Sequence, residues 1–533
     1  MADDIFQFHG SKGKLSTVIL TKPLLRPIRF FFQFLIYFIY QESKEVSGMG
    51  GNYEKSIYNQ LMDVMARLDS VEKENRREVS RLNGEIADLK KENQELKEEN
   101  KRLLDDNARL KSMINNDSSN SSLPPSTDQK GGKPANTYHS RTKSGRKAGG
   151  QKGHKGTALT KADVEEKLRK GTWKHEIRTL GGTAGGPYVT KYVIDLEVSP
   201  KITEIRIYAE EDGKFHIPAE YRSDVIYGPD VKALAAALYS EGVMSNDRIA
   251  VFLNAASGDE LELSEGSIYG FCRKLSEGVQ ESIRHLEAHM LNQEVVATDA
   301  TVVSVNGKQA GIRNFSIGDT VLYRAMKSKS LEALEKVEFL IRYTGILVHD
   351  HETALYHFGT GHGECNVHLL RYLRKNTEET GNGWSKEMSG LLNRMNREKK
   401  SLQKEGKSAF EEGTIAAYEK EYAELIRKGR EENRNTRHRY AKKDEKTLLN
   451  RLEKYQKNHL LFLHNFSVPF DNNMSERDLR KAKNRQKMAG GFRKESGNEM
   501  YCAILTIVET LKRRKMGLIE NLKKIFMGTP AIF

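Results

Sequence analysis

Three observations predict a multidomain α+β chain: a heptad repeat over residues 57–114, a β-β-β-α-β order between Leu291 and Asp350, and a charged stretch of helical period at about 384–464. At 533 residues the chain has room for roughly three to four domains. Lys and Arg number 87 against 73 Asp and Glu, a net charge of +14, which favours a polyanionic partner, nucleic acid above all. Hydrophobic residues make up 37% and mean hydropathy is −0.66, which excludes a polytopic membrane protein. Three cysteines, Cys272, Cys365 and Cys502, exclude a disulfide scaffold and fit a reducing compartment.

Residues 30–40 (FFFQFLIYFIY) are apolar, but eleven residues are too few to span a bilayer, which needs about 20, and no small-residue cleavage site follows. Residues 1–48 therefore read as a doubtful upstream segment, with Met49 as the start.

Residues 49–114 read as a coiled coil. Val79, Ile86, Asn93, Asn100 and Asn107 take one heptad position, and Leu82, Leu89, Leu96, Leu103 and Leu110 the other. Two consecutive four-residue steps, Val71 to Asn75 to Val79, mark a stutter. The three Asn cost stability but favour a parallel dimer. A solvated charged helix has no need of five Leu at one position.

A linker at 115–160 follows, opened by the Ser-rich NNDSSNSSLPPSTD. Residues 129–155 carry eight Lys or Arg, six Gly and no acid, and cannot bury a core. This stretch reads either as an inert linker or as a phosphate-contacting tract, with Arg141, Lys143, Arg146 and Lys147 as DNA-binding candidates. Residues 161–226 read as a small β region, because 193–198 and 202–208 alternate apolar and polar residues with a turn at 210–213. Residues 227–285 hold three short helices, at about 230–240, 246–256 and 267–279, with caps at Ser245 and Ser264. They suit a helix-turn-helix or an ordinary bundle.

Residues 286–526 carry the chemistry. VVATDATVVSV is a buried strand with Asp299 at its centre, Asn306-Gly307 turns a hairpin, a third strand and a helix follow, and GILVH ends in Asp350. This is a ribonuclease-H-like α/β arrangement, which sets two acids on adjacent strands. An aspartate in an apolar strand is costly unless paired or coordinated, and Mg²⁺ relieves two neighbouring carboxylates. Two unrelated structural acids are the alternative. A third acid is sought in VPFDNNMSERDLRKAKNRQK, where Glu476 is the candidate and Asp471 the next. Asn473 and Glu476 also suit a capping box, and Arg480 an i,i+4 partner. Arg477 and Arg480 are candidate phosphate contacts. The stretch at about 384–464 reads as a helical insertion. Cys365 and His368 form a Cys-x2-His pair with no second pair nearby, and read as helix packing and local positioning.

Together, the coiled coil, SGRKAGGQKGHKG, YGPDVKALAAAL, the TDAT strand, ILVHDHETALY, CNVHLLR, VPFDNNMSERDLR and CAILTIVETLKRRKM resemble the transposases of the insertion sequence 66 family, over about residues 52–526. The resemblance implies a DDE transposase with Asp299, Asp350 and Glu476 as the metal-binding triad for Mg²⁺ or Mn²⁺. It implies DNA partners, both terminal inverted repeats and target DNA. It also implies accessory proteins encoded by the element and a bacterial cytoplasmic location, while the coiled coil points to a homodimer or higher oligomer and the composition to no membrane role. A catalytically decayed DNA-binding protein that still occupies element ends is the rival reading, and a coiled-coil scaffold without DNA a third. Two departures stand out. TLGGTAGGPY has Gly where the family has zinc-ligating Cys, so no zinc is expected, and Ala300 replaces an acid beside Asp299.

Overall fold

The computed structural model describes residues 51–117, 159–171, 173–180, 188–211 and 213–530, with isolated positions at 31, 34, 37, 38, 41 and 120. It divides into two units, residues 1–106 and 107–533.

Helix α1 (Gly51–Ile114) runs 64 residues. Its heptad side chains face solvent: Leu89, Leu96 and Leu103 are each more than half exposed. Arg81 bridges Glu78 and Glu85 along the surface, a pair pattern that supports an isolated helix by only a few tenths of a kcal/mol.

In the second unit, α2 (Lys161–Arg169) is closed by a Thr160/Asp163 capping box. The strands expected at 193–198 and 202–208 do not form; the described residues there lie in no strand. The turn at 210–213 does close, with Glu210 N donating to Lys214 O and Gly213 N to Glu210 O. Alternation alone builds no strand where no core covers the apolar side: Val193 and Ile202 are almost fully exposed.

Four helices follow: α3 (Pro229–Ser240), α4 (Asn246–Ala256), α5 (Glu265–Gly278) and α6 (Gln280–Leu291). Pro229 starts α3, Ser245 caps α4, and Ser264 with Ser267 form a capping box on α5. Tyr239, Ile249, Leu253, Ile268 and Cys272 pack their shared core.

The sheet is built from β1 (Val295–Val305), β2 (Lys308–Ser316) and β3 (Val321–Met326), then, after the short helices α7 (Leu331–Leu334) and α8 (Glu338–Arg342), from β4 (Ile346–His349) and β5 (Gly361–Glu364). Its order is β3-β2-β1-β4-β5. The first three strands are antiparallel, whereas β4 runs parallel to both β1 and β5. Asn306 and Gly307 both take positive φ, as a two-residue hairpin loop with this strand twist requires.

Next come α9 (Asn366–Thr380) and four helices, α10 (Gly383–Lys404), α11 (Glu412–Arg434), α12 (Arg439–Lys454) and α13 (Gln456–His464). They share a core of Leu369, Leu373, Trp384, Leu392, Tyr422 and Leu452 with Ala297 and Val348 of the sheet. The chain closes with α14 (Asn473–Asp478), α15 (Arg480–Ala489), α16 (Glu495–Arg513) and α17 (Leu518–Phe526). Helix α16 is bonded to the edge of β3 through Thr506 and Thr510. The sheet is thus covered by one apolar core with α16 and by a second with the inserted helices, so most of β1 is buried.

Candidate active site

Strand pairing brings the first two acids together. Ala297 of β1 lies beside Val348 of β4 in parallel register, so Asp299 and Asp350, each two residues further on, leave the same end of the pair. Asp299 is clamped at its backbone, where its N–H donates to Asn314 Oδ1 at 3.0 Å, and Ala300 N donates to its carboxylate at 2.7 Å. Asp350 is the first residue past β4, and His351 after it takes a left-handed φ of 41°, turning the chain away from the sheet.

The third acid arrives through a set of buried amide and hydroxyl bonds. Asn472 donates from Nδ2 to Thr298 O at 2.8 Å, next to Asp299, and from its backbone to Cys365 Sγ at 3.2 Å. Ser475 Oγ donates to Asn314 Oδ1 at 2.7 Å, and Asn314 Nδ2 donates back to Ser475 O at 2.9 Å. Asn314 therefore holds Asp299 and the first turn of α14, which carries Glu476, at once. The capping box expected at Asn473 is absent. Asn472 is the cap residue, no side chain caps the helix, and Glu476 uses only its backbone N–H toward Asn472 O at 3.1 Å. Its carboxylate instead faces His368, 3.5 Å from Nδ1.

Three carboxylates in one half-buried place resist ionisation. Burial raises Asp299 above the ordinary carboxylate range. Burial, then the charge of Asp299 and that of Glu476, push Asp350 up to about 7 against the opposing charges of Arg451 and Arg371. Burial also raises Glu476, opposed by Arg371 and reinforced by Asp299. Glu476 Oε1 is buried without a hydrogen-bond donor. A hard divalent cation, which takes oxygen ligands, would relieve this mutual repulsion.

The family model described as Transposase IS66 family matches residues 224–500, more than half of the chain, and spans all three acids. The chain belongs to the IS66 transposase family. A second model, a family of unknown function, matches residues 68–160, most of the heptad helix and the basic tract. No curated protein matches.

In this IS66-family chain Arg477 and Arg480 are exposed, as is Lys483 one turn on. Lys329 reaches the strand of Asp299, donating to Ala300 O at 2.7 Å. Arg141, Lys143, Arg146 and Lys147 lie outside the described residues. Asp471, the alternative third acid, accepts from Asn473 N at 3.1 Å.

Several residues that hold the site carry no sequence signal of their own. Arg313 of β2 is fully buried, donating to Thr298 Oγ1 at 3.0 Å and pairing with both oxygens of Glu352, two residues past Asp350. Glu364, at the end of β5, accepts from His351 Nδ1 at 2.7 Å, His459 at 3.1 Å, Arg451 at 2.7 Å and the Tyr356 hydroxyl. Burial alone would raise its carboxyl, but the bonds from His351 and His459 and the charge of Arg451 hold it far below the usual range. Strand β5 was missed because it reads GHGE: Gly has no strand propensity, yet a Cβ at Gly363 would meet Val468 at 2.9 Å.

Proposed function

We propose that this transposase cuts and joins DNA at Asp299, Asp350 and Glu476, within a ribonuclease-H-like domain interrupted by the helices at 383–464. The observation that carries the reading is the Asn314–Ser475–Asn472 bonding, which ties the segment bearing Glu476 to the strand bearing Asp299 across more than 150 residues of sequence. A capping role that would explain Glu476 without chemistry is absent from the structure.

Asp299, Asp350 and Glu476 would hold Mg²⁺ or Mn²⁺, which would supply charge neutralisation for phosphoryl transfer. The chain's own residues do the rest. Asn314 and Asn472 fix where Asp299 and Glu476 stand, so little motion remains to be frozen when the scissile phosphate docks. Asp350, whose carboxyl is pushed up to about 7 by burial and by the charges of Asp299 and Glu476, would be held ionised by a bound cation. Lys329, Lys483, Arg477 and Arg480 give the phosphate backbone a basic border. In this reading water is the nucleophile for nicking at 3′ ends, and the freed 3′-hydroxyl is the nucleophile for joining to target DNA. Helices α3 to α5 would read terminal inverted repeats as a helix-turn-helix, the tract at 129–155 would add sequence-independent affinity, and α1 would pair with a second copy through its exposed Leu stripe.

The test is divalent-cation-dependent cleavage of an end-containing duplex. Asp299→Asn, Asp350→Asn and Glu476→Gln should each lose about a thousandfold in rate, on the order of 4 kcal/mol of transition-state stabilisation, with double variants scarcely worse and DNA binding kept. Near wild-type cleavage by Glu476→Gln removes that residue from the triad. Binding by the wild-type chain with no cleavage under Mg²⁺ or Mn²⁺ favours the decayed copy.

A further inference from the structure

Beside the three acids lies a second set of donors of different chemistry. Cys365 is the residue preceding α9, and His368 stands three residues on, within its first turn. Cys365 is 1% exposed and His368 7%. The Cys365 thiol, a ring nitrogen of His368 and a carboxylate oxygen of Glu476 lie within 4.8 Å of one another. A tetrahedral ion draws such atoms to roughly 3.3–3.8 Å, a closure within reach of side-chain rotation.

Two observations bear on what these atoms could hold. His368 Nδ1 and Glu476 Oε1 are both buried without hydrogen-bond partners. The opposite ring nitrogen, Nε2, is 3.2 Å from Asp350 Oδ2. An Nε2–H donated to a carboxylate leaves Nδ1 with its lone pair directed at Glu476 and Cys365, the arrangement in which metal-ligating histidines are found. Arg371 NH1, also 3.2 Å from Nε2, suits the other tautomer, so a cation at Nδ1 would select between them. Cys365 Sγ already accepts the Asn472 N–H at 3.2 Å, a bond that strengthens on ionisation of the thiol. Mg²⁺ disfavours sulfur, whereas a thiolate–imidazole–carboxylate set suits Zn²⁺ and its relatives.

We propose that Cys365, His368 and Glu476 form a site for one thiophilic divalent cation of the Zn²⁺ class, with the fourth position open. The absence of zinc ligands at 179–188 does not bear on it, since this site lies elsewhere in the chain. Binding here stands independently of the catalytic reading. Its consequence rests on that reading: an ion on this side withdraws Glu476 from Asp299 and Asp350, so stoichiometric Zn²⁺ would arrest Mg²⁺-dependent cleavage.

The experiment uses the full chain stripped by chelation, then titrated with Co²⁺ and, in competition, Zn²⁺. One equivalent of Co²⁺ per chain should give a thiolate-to-cobalt charge-transfer band that excess Mg²⁺ does not remove. Cys365→Ser should abolish the band and weaken Zn²⁺ binding at least about 100-fold, more than loss of an outer-shell partner does. Cys272→Ser and Cys502→Ser should keep it. His368→Gln and Glu476→Gln should each weaken Zn²⁺ binding while leaving the fold, read by circular dichroism, intact; they carry the test if Cys365→Ser unfolds. Asp299→Asn should keep the band yet lose cleavage, which separates failure of this site from failure of the triad. A folded wild-type chain with no band, or a band that survives Cys365→Ser, overturns the proposal.

Discussion

Asp350 offers the sharpest test of the site's electrostatics, because its carboxyl works against stability in the metal-free chain. Its ordinary value of 3.8 is raised to about 7 by burial and by Asp299 and Glu476. Between those values the folded chain holds a proton that the unfolded chain has lost. Metal-free stability therefore falls as pH rises through that window and levels off above it. Three units correspond to about 4 kcal/mol, and because the side chain is 29% exposed, solvent screening reduces this to about 2–4 kcal/mol. Asp350→Asn keeps the shape and removes the ionisation. In chelator at pH 8 the variant should melt above the wild type by about 2–4 °C, taking about 1 °C per kcal/mol for a unit as large as residues 107–533. At pH 5 the gap should shrink to less than half, closing only as the pH falls below about 3.8. Mg²⁺ should raise the wild-type midpoint and leave the variant nearly unchanged, while cleavage is lost. Differential scanning calorimetry at the two pH values, with and without Mg²⁺, measures all of this. A variant that melts at or below the wild type in chelator at pH 8 refutes the argument, since Asp350 would then be stabilised in place rather than held there at a cost.

Asn472→Ala removes the bond to Thr298 O and loosens the segment bearing Glu476; it should cost about 1–3 kcal/mol in thermal unfolding and about 100-fold in cleavage, and a full cleavage rate would show that Glu476 needs no such brace. Glu364→Gln leaves the Arg451 guanidinium without its buried carboxylate, so about 3–5 kcal/mol should be lost, read by chemical denaturation near neutral pH. Because the Glu364 carboxyl is depressed, its contribution should be present above roughly pH 4.3 and persist well into acid; a loss below 1 kcal/mol contradicts the network. The isolated peptide 57–114 should sediment as a dimer at tens of micromolar, and replacing Asn93, Asn100 and Asn107 by Ile should raise its melting temperature while loosening its oligomer choice; a monomer rejects the pairing.

What the sequence disclosed and what it withheld divide along physical lines. Asp299 is visible because one acid inside VVATDATVVSV violates the apolar pattern, and a violation asks for a reason. The hairpin at Asn306-Gly307 is visible because few residue pairs tolerate two positive φ values. Asn314, by contrast, is an ordinary polar residue in β2, and only the fold shows that its one amide holds Asp299 N and Ser475 together. The capping-box reading of Asn473 and Glu476 failed for a related reason: local spacing permits it, but Asn472 is drawn to Thr298 and Cys365, and the helix starts one residue earlier than the motif suggests. Alternation misled at 193–208, where Val193 and Ile202 stay almost fully exposed. Cys365 and His368 looked like an incomplete pair because their third neighbour, Glu476, lies more than a hundred residues away.

The same comparison changes how the helices at 383–464 are understood. By composition they are a charged insertion that leaves the catalytic pattern intact on either side. In the structure Arg451 of α12 and His459 of α13 both donate to Glu364, and Glu364 in turn accepts from His351, the residue after Asp350. Asn366, which opens α9, donates to His459 O at 3.0 Å. The second acid is therefore braced from the insertion, while the first and third are braced against each other through Asn314 and Asn472. Lys399 of α10 extends the link: its buried ammonium donates to Val468 O at 2.6 Å, at the approach to Asp471 and Asn472. Insertion and sheet thus share responsibility for where the carboxylates stand. Trimming 383–464 would remove Arg451, His459 and Lys399 together, leaving Glu364 with only His351 and Tyr356 and freeing the segment that leads to Glu476, so the insertion bears on where the carboxylates stand as much as the strands do.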